Sequence, residues 1–308
     1  MKNKYDISSE FNKIKNFYPP FSKAIFPFAN LYLSLYPVIS DDKTDVKHIK
    51  IKSTDKKCIG AVLITPKNAK EKLPCLVYFH GGGFSFKASP FHYKLLREYA
   101  IKTHCAVLAA DYRNPPRYKF PTPLNDCFSA YRYAVENAEE LSFDKNKIAV
   151  GGDSAGGNLA AAVTLLTKEN SIQAPLFALF IYPALDATMS TESMKTFVDT
   201  PMWNAALNEK MWKYYLPCGE SAKNPLVSPL FSNELSSFPP TYVETAEFDC
   251  LKDESLLFAE KLKENGVEVF VNNTCETVHG FDNTTWQSTT LRAIEKRTEF
   301  MKNKFFGK

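Results

Sequence analysis

The sequence lacks the cysteine patterns that mark a metal site or a redox pair. None of its seven cysteines forms a C-x-x-C pair, and no combination of cysteine and histidine has the spacing of a zinc site. An odd number of cysteines is typical of a reducing compartment, where thiols stay free. We therefore interpret the cysteines as free thiols, expect no metal, and favour a cytoplasmic location.

The chain also lacks an excess of one charge. Its net charge is +4 over 308 residues, and the lysines are scattered instead of forming a basic stripe. A nucleic-acid partner would require such a stripe, so none is expected. With 44% hydrophobic and 23% charged residues, the composition is that of a folded globular protein, which excludes disorder, collagen and coiled coil.

No apolar run is long enough to span a bilayer, which takes about 20 residues. The one candidate segment, residues 24–40, is uncharged but is interrupted by Pro27 and Pro37. A signal peptide fits poorly as well, because lysines and acidic residues alternate before this segment and no small-residue cleavage site follows it. Stable membrane insertion is therefore not expected, and a lipid-facing amphipathic segment is the main alternative to a purely cytoplasmic protein.

Short apolar runs and helical stretches alternate along the chain, with no repeat and no linker between them. This alternation predicts an α/β fold in one domain over 1–308, with right-handed crossovers and a mostly parallel sheet covered on both faces. An edge strand is expected where the first run alternates with lysines. The predicted strands are 46–51, 59–65, 75–79, 106–110, 148–150, 176–182, 241–245 and 268–271. The predicted helices are 93–102, 124–136, 158–168, 253–264 and 291–304.

Two stretches do not fit this alternation, namely about 1–45 and 186–228. The first is aromatic and broken by prolines, and the second is too rich in tryptophan, methionine and tyrosine for a solvent loop. Open α/β sheets bind ligands at the carboxyl edge of their strands. We therefore predict that both stretches form a cap over that edge, with ordinary core filling by their aromatic residues as the alternative.

A serine motif follows the predicted strand at 148–150. Gly152, Asp153, Ser154, Ala155 and Gly156 form the pattern G-x-S-x-G, and an alanine-rich helix is expected directly after it. A nucleophile on such a sharp turn has a strained backbone, so small residues must flank it, and the helix amino terminus favours negative charge nearby. A glycine-rich turn can produce this pattern by chance. Between a strand and a helix, however, it predicts that Ser154 is a catalytic nucleophile.

Three glycines follow His80 at the end of the predicted strand 75–79. Glycines expose backbone N–H groups without side chains in the way, as an oxyanion hole requires. The predicted donors are the N–H groups of Gly82, Gly83 and Ala155. A plain loop or a phosphate cradle is the alternative, but neither the P-loop pattern nor the dinucleotide pattern follows. His80 ends the strand and is interpreted as a structural residue.

A serine nucleophile needs a general base, and the base needs a carboxylate to hold it. With a serine of this type, the acid and the histidine follow in that order, and His279 is the only histidine after Ser154. Asp249 follows the strand 241–245 by a short loop. Asp253 and Glu254 are expected to begin the next helix and to serve its first turn, so Asp249 is the predicted acid. The remaining histidines are interpreted as surface or packing residues: His48, His92 and His104.

Three motifs together resemble the hormone-sensitive-lipase-like family of carboxylesterases, which includes bacterial acetyl esterases and arylacetamide deacetylases. They are the glycine run at 80–84, the serine motif at 152–157 and the Val-His-Gly-Phe sequence at 278–281. The stretches 111–113 and 249–254 are also similar to that family, and the likeness runs from about residue 45 to the end. The resemblance implies an α/β-hydrolase fold with an eight-stranded sheet, a helical cap from the two stretches named above, and ester hydrolysis without a cofactor.

The sequence departs from the family pattern at two points. Arg117 stands where the family usually has a glutamate, so a loop expected near the site carries a positive charge. Cys250 replaces a proline, which is expected to loosen the loop that holds Asp249. Neither change removes a catalytic group, but both affect how far a substrate preference can be transferred.

The function predicted from these features is a serine carboxylesterase for small apolar esters with short to medium acyl chains. Its partner is the ester itself, with a homodimer as a further possibility and no cofactor or metal. The predicted substrate pocket includes Phe84, Trp212 and Phe281, since aromatic side chains make an apolar pocket of limited size. An amidase or deacetylase with the same triad is the main alternative. A lipase acting at lipid surfaces is a weaker alternative. A noncatalytic small-molecule receptor is also a weaker alternative, because receptors with this fold lack the triad histidine and His279 is present.

Overall fold

The fold is built around one eight-stranded sheet in the computed structural model, which describes residues 4–283 and 287–307. Each predicted strand is present, and most extend beyond the apolar run that indicated them. The last two strands run to Phe248 and Val278, so Asp249 and His279 follow them directly. The strands are β1 Thr44–Lys52, β2 Cys58–Pro66, β3 Leu73–Phe79, β4 Ala106–Asp111, β5 Phe143–Asp153, β6 Ala178–Ile181, β7 Thr241–Phe248 and β8 Val269–Val278.

The strand order is β1-β2-β4-β3-β5-β6-β7-β8. The first two pairings, of β1 with β2 and of β2 with β4, are antiparallel, and all the others are parallel. Burial agrees with this order: every residue of β3, inside the sheet, is buried, whereas most residues of β1, at the edge, are exposed. The expectation of a mostly parallel sheet with β1 at its edge is therefore confirmed.

Helices cover both faces of the sheet. The five predicted helices are present, each longer by one to three residues at an end. The second and eighth helices pack on one face with Leu76 and Tyr78 of β3, and the third, fourth and seventh pack on the other with Cys75, Val77 and Phe79. The helices are α1 Phe26–Ser34, α2 Pro90–Thr103, α3 Thr122–Glu136, α4 Ala155–Glu169, α5 Glu192–Thr196, α6 Ala205–Tyr215, α7 Lys252–Glu264 and α8 Ser288–Phe306.

The two stretches outside the α/β alternation contact each other. The amide of Met202 donates to the carbonyl of Phe17 at 2.7 Å, and the ring of Phe21 packs edge-on against Trp203 with centroids 5.2 Å apart. Pro27 lies in the first turn of α1, where a missing N–H costs no helical hydrogen bond. Residues 1–3 of the first stretch lie outside the described residues. Within the described part of the chain, none of the helices combines the length and the hydropathy needed to cross a membrane.

Candidate active site

Ser154 occupies the turn between β5 and α4. Its φ of 55° and ψ of −121° are strained for a residue with a side chain. The turn is held from both sides, because the Ser154 amide donates to the carbonyl of Ile181 at 2.8 Å and its carbonyl accepts from the amide of Ala184 at 3.2 Å. The backbone thus fixes this serine at the carboxyl end of the sheet.

Gly156 shows why the serine motif requires glycine. A Cβ atom at this position would lie 2.0 Å from the carbonyl oxygen of Phe79 and 2.6 Å from that of His80. Any side chain would therefore push α4 away from the end of β3. The close approach brings the serine turn against the strand end from which the glycine run starts.

The structure brings the three predicted triad residues together. Nδ1 of His279 lies 2.7 Å from Oδ2 of Asp249, and Nε2 of the same ring lies 2.8 Å from Oγ of Ser154. The other carboxylate oxygen of Asp249 accepts from the amide of Leu251 at 3.0 Å. With Nδ1 donating to the carboxylate, Nε2 is the acceptor for the serine hydroxyl. All three side chains are buried, and each residue directly follows the end of its strand.

The glycine run forms a tight turn beside the serine. Gly82 and Gly83 have φ values of 106° and 58°. The carbonyl of Gly82 accepts from the amides of Ser85 and Phe86 at 3.1 and 2.9 Å. The N–H groups of Gly82 and Gly83 find no acceptor in the described part of the chain. Ala155 is the first residue of α4, where an N–H has no partner within the helix. Three donors thus lie on the two turns next to Ser154.

Asp153 and His92 connect these two turns, and sequence reasoning missed this connection. Oδ1 of Asp153 accepts from the amide of Gly81 and from the hydroxyl of Tyr78, both at 3.0 Å, and Oδ2 lies 3.2 Å from Nε2 of His92. Burial raises the pKa of Asp153, but His92 together with Tyr78 and His80 outweighs burial, so the pKa falls below its usual value. Burial lowers the pKa of His92, but Asp153 together with Asp282 outweighs burial, so the pKa rises. His92, interpreted as a packing residue, therefore pairs with the residue before the serine.

The His80 side chain contacts the glycine run and Tyr112. Its Nδ1 is 2.8 Å from the carbonyl of Gly81, and its ring stacks on Tyr112 at 4.4 Å. The Tyr112 hydroxyl also donates to the His80 carbonyl at 2.7 Å. Burial, together with the charge of His92, lowers the pKa of His80 to about 4. These contacts suit the structural role expected for this histidine.

The predicted pocket residues divide between two places. Phe84 stacks on Tyr215 at 3.8 Å, and its ring lies 5.7 Å from that of Trp212. Phe281 packs in the core on the opposite face of the sheet, with its ring 6.2 Å from that of Tyr182. The structure therefore brings Phe84 and Trp212 together and leaves Phe281 apart from them.

Trp203, from the second stretch outside the sheet, packs near the triad, and sequence reasoning did not single it out. Its ring lies 6.0 Å from that of His279. A Cβ atom built on Gly83 would lie 2.8 Å from the Trp203 ring and 2.9 Å from the ring of Phe21. The two stretches outside the sheet thus meet directly above the glycine run. No local sequence signal separates Trp203 from the other aromatic residues of its stretch.

The expected roles of Asp253 and Glu254 are wrong. Neither serves the first turn of its own helix, because both carboxylates reach across to the stretch 185–193. Glu254 accepts from the amides of Leu185 and Asp186 at 2.6 and 3.2 Å, and Asp253 accepts from the amide of Ser193 at 2.7 Å. Glu254 is fully buried, and burial raises its pKa well above the usual value.

The two departures from the family pattern have little effect on the site. Cys250 is buried, and its carbonyl accepts from the hydroxyl of Ser193 at 2.8 Å, so the loop after Asp249 is held instead of loosened. The guanidinium of Arg117 lies over the ring of Tyr118 at 5.2 Å and lines a surface cavity of about 550 Å³ with Arg113. None of the three triad residues lines that cavity.

Candidate metal ligands are not clustered in the described part of the chain. Over residues 4–283 and 287–307, no group of three or more histidine, cysteine, aspartate or glutamate side chains is arranged to hold a metal ion.

A family described as having the alpha/beta hydrolase fold matches residues 76–283 of this chain. The chain belongs to this α/β-hydrolase family. The match covers the glycine run, the serine motif and His279, so the resemblance to the hormone-sensitive-lipase-like esterases is confirmed, and so is the predicted fold class.

Esterases are prominent among the similar proteins. Carboxylesterase NlhH of Mycobacterium tuberculosis is 33% identical over 71% of this chain and 69% of its own length. An arylesterase of Saccharolobus solfataricus is 33% identical over 79% of both chains. Among solved structures, a bacterial heroin esterase has a TM-score of 0.88 and 29% identity, covering 97% of both chains. This α/β-hydrolase therefore lies among carboxylic ester hydrolases.

Proposed function

We propose that this chain is a serine carboxylesterase in which Ser154 is the nucleophile, His279 the general base and Asp249 the acid. The observation that carries this proposal is the continuous line of hydrogen bonds from Asp249 through His279 to Ser154, at 2.7 and 2.8 Å. Curated relatives of this α/β-hydrolase are carboxylic ester hydrolases, which supports the reaction class.

In the first step, His279 takes the proton from the serine hydroxyl through Nε2 while Oγ forms a bond to the carbonyl carbon of the ester. The carbonyl oxygen becomes an oxyanion, and the N–H groups of Gly82, Gly83 and Ala155 are its proposed donors. Collapse of this intermediate breaks the bond to the alcohol oxygen. Protonated His279 gives its proton to the departing alcohol, and an acyl-enzyme remains on Ser154.

In the second step, water replaces the alcohol. His279 takes a proton from the water, whose oxygen attacks the acyl carbon, and the second oxyanion uses the same donors. Its collapse releases the carboxylic acid and returns the proton to Ser154. Asp249 stays ionised throughout, since its role is to fix the tautomer of His279 and to stabilise the imidazolium.

The proposed substrates are small apolar esters with short to medium acyl chains. In support, Phe21 and Trp203 close over Gly83, and Ser154 is only 5% exposed, so aromatic side chains largely cover the nucleophile. An ethyl acetate hydrolase of Pseudomonas putida is among the relatives, at 32% identity over 63% of this chain and 61% of its own length. We propose that the stretches of about 1–45 and 186–228 form the cap, with Phe84 and Trp212 as pocket residues. A cytoplasmic location is proposed because all seven cysteines are free.

The assignment of the nucleophile can be tested with a fluorophosphonate probe and a panel of p-nitrophenyl esters. Wild type should be labelled and should hydrolyse the short esters, and Ser154→Ala should abolish both. Ser236→Ala, at an exposed serine far along the chain, is the control and should retain both activities. Labelling that survives in Ser154→Ala would contradict the assignment. A matched panel of p-nitroanilides distinguishes the amidase alternative, which requires amide cleavage at a comparable rate.

A further inference from the structure

The outer side of α1 and of the turn that follows it exposes large apolar side chains. Four of them are spaced three or four residues apart and so share one helical face, and the two others continue it beyond the helix end. Their exposed fractions range from 47% to 76%, whereas side chains of this type are usually buried. We call this the α1 surface; it consists of Phe28, Leu31, Tyr32, Leu35, Tyr36 and Ile39.

The inner side of α1 is firmly attached to the protein. Phe26 is buried against Phe21 and Phe86. The side-chain amide of Asn30 donates to the carbonyl of Ser85 and accepts from the amide of Lys87, both at 2.9 Å. These two hydrogen bonds tie the helix to the segment that follows the glycine run. Because α1 is anchored on one side, its apolar outer side is a fixed feature of the surface, and such patches mark sites of interaction.

The charges around the α1 surface indicate what binds to it. Residues 11–40 contain three lysines and no acidic residue. Lys13 and Lys23 are exposed; of the two acidic residues that follow, Asp41 is engaged by Arg97 at 2.8 Å and Asp42 is exposed. A segment of apolar and aromatic side chains whose charged residues are all lysines has the composition of segments that lie in the surface of an anionic bilayer. A two-fold dimer through the same face would bring two copies of this positively charged segment together.

We propose that the α1 surface docks this α/β-hydrolase onto the surface of an anionic lipid bilayer. The apolar side chains enter the boundary between headgroups and acyl chains, and the lysines contact the lipid phosphates. Binding is peripheral and reversible, because α1 has only nine residues and the apolar face covers one side of it. The Phe21 ring, on the same segment, closes over Gly83, so docking places the candidate active site next to the membrane. The proposal stands independently of the proposed esterase function.

Co-sedimentation with vesicles tests the docking without measuring activity. The purified full chain should pellet with vesicles of phosphatidylcholine and phosphatidylglycerol at least about tenfold more than with phosphatidylcholine alone, since lysines near an anionic surface strengthen binding. Added salt should reduce the binding through screening. Absence of binding to the anionic vesicles would overturn the proposal.

Variants locate the binding to the α1 surface. Leu31→Ser combined with Leu35→Ser should reduce the pelleted fraction about tenfold or more, because each leucine removes apolar area from the lipid. The control is Leu257→Ser combined with Leu291→Ser, which changes two leucines that are 44% and 48% exposed on α7 and α8 and should bind as wild type.

Lys13→Glu combined with Lys23→Glu should abolish the preference for anionic vesicles. Equal binding by the α1 variant and wild type would contradict the proposal. Sedimentation velocity gives a second test: if wild type is a dimer and the α1 variant is a monomer, the α1 surface is a dimer interface and the proposal is contradicted. Thermal unfolding of each variant checks that it is folded.

Discussion

Nη1 of Arg297 donates to Oδ2 of Asp282 at 2.6 Å, and neither side chain reaches solvent. Asp282 lies three positions after His279 and also accepts from the hydroxyl of Tyr182. The ring of Tyr182 packs against that of His279 with centroids 4.6 Å apart. Arg297 is held in turn by Glu244 on β7, to which its Nε donates at 3.0 Å. A buried ion-pair network thus supports the segment that carries the histidine.

Removing Arg297 should therefore affect both stability and catalysis. Arg297→Met leaves Glu244 and Asp282 buried without their cation, and breaking a buried pair in this way costs about 3–5 kcal/mol. Below the unfolding temperature we expect kcat to fall and KM to change little, because the segment holding His279 is displaced while the pocket is kept. Denaturant unfolding and ester kinetics measure the two effects.

The matched control for Arg297→Met is Lys304→Met on the same helix. It removes the pair of Lys304 with Glu268, whose carboxylate is half exposed, and exposed pairs contribute about 0–1 kcal/mol. A stability loss for Arg297→Met no larger than that of the control would contradict the role assigned to the network.

The sheet could be predicted from sequence because strands have a strong local signal. The run at 75–79 is apolar throughout and became a fully buried strand, and 46–51 alternates with lysines and became the edge. Strand ends were less predictable. The strand predicted at 268–271 continues to Val278 through polar residues, because its neighbour β7 supplies hydrogen-bonding partners that the local sequence does not show.

The partners of the triad could be predicted from motifs and chain order, but the residues that support them could not. Glu254 binds the backbone at Leu185, and Arg297 binds Glu244, and each of these contacts joins segments that are distant along the chain. Nothing in the local pattern around Glu254 distinguishes a buried acceptor from an ordinary residue of the first helical turn. Such contacts depend on where the fold places other segments, so only the structure reveals them.

Substitution of Asp249 and of Asp253 should separate the two candidate acids. Asp249→Asn keeps the size of the side chain but removes its charge and allows the wrong tautomer of His279, an exchange that costs about 10⁴ in kcat in serine proteases. We expect a loss of at least about a hundredfold here. Asp253→Asn should cost little activity, because that carboxylate binds the amide of Ser193 instead of His279. Steady-state kinetics of the two variants would contradict this assignment if Asp253→Asn were inactive and Asp249→Asn were near wild type.

Glu254 should make stability fall as the pH rises. Its pKa is raised on folding, so its contribution is fully present below its unfolded pKa and is lost as the pH increases through the folded pKa. Glu254→Gln copies the neutral form and should gain stability relative to wild type from mildly acidic to neutral pH. Glu254→Ala leaves the amides of Leu185 and Asp186 without their acceptor, at a cost of about 1–3 kcal/mol each. Unfolding curves over this pH range measure both, and a constant difference between wild type and Glu254→Gln would contradict the prediction.

The pair of His92 and Asp153 should have a different pH dependence. The raised pKa of His92 gives stability that is present below its unfolded pKa and is lost as the pH rises. The lowered pKa of Asp153 gives stability that is present above its unfolded pKa and is lost as the pH falls. The difference in Tm between wild type and His92→Gln should therefore be largest at mildly acidic pH and should become smaller at both lower and higher pH. A difference that keeps growing toward alkaline pH would show that the two side chains do not act as an ion pair.

The last prediction concerns acyl-chain length, which the rings of Phe21 and Trp203 should limit. A Cβ atom on Gly83 would lie within 3 Å of both rings, so they form the wall above the proposed oxyanion donors. For wild type we expect kcat/KM to peak at about two to six acyl carbons, since aromatic side chains make an apolar pocket of limited size. Phe21→Ala and Trp203→Ala should each shift the peak to longer chains by opening that wall. Phe→Ala at a buried site also costs about 3–5 kcal/mol, so Phe305→Ala, in the core of the opposite sheet face, is the control for lost stability. It should lower Tm and leave the peak in place. A peak that stays in place in both Phe21→Ala and Trp203→Ala would show that the two rings do not bound the acyl site.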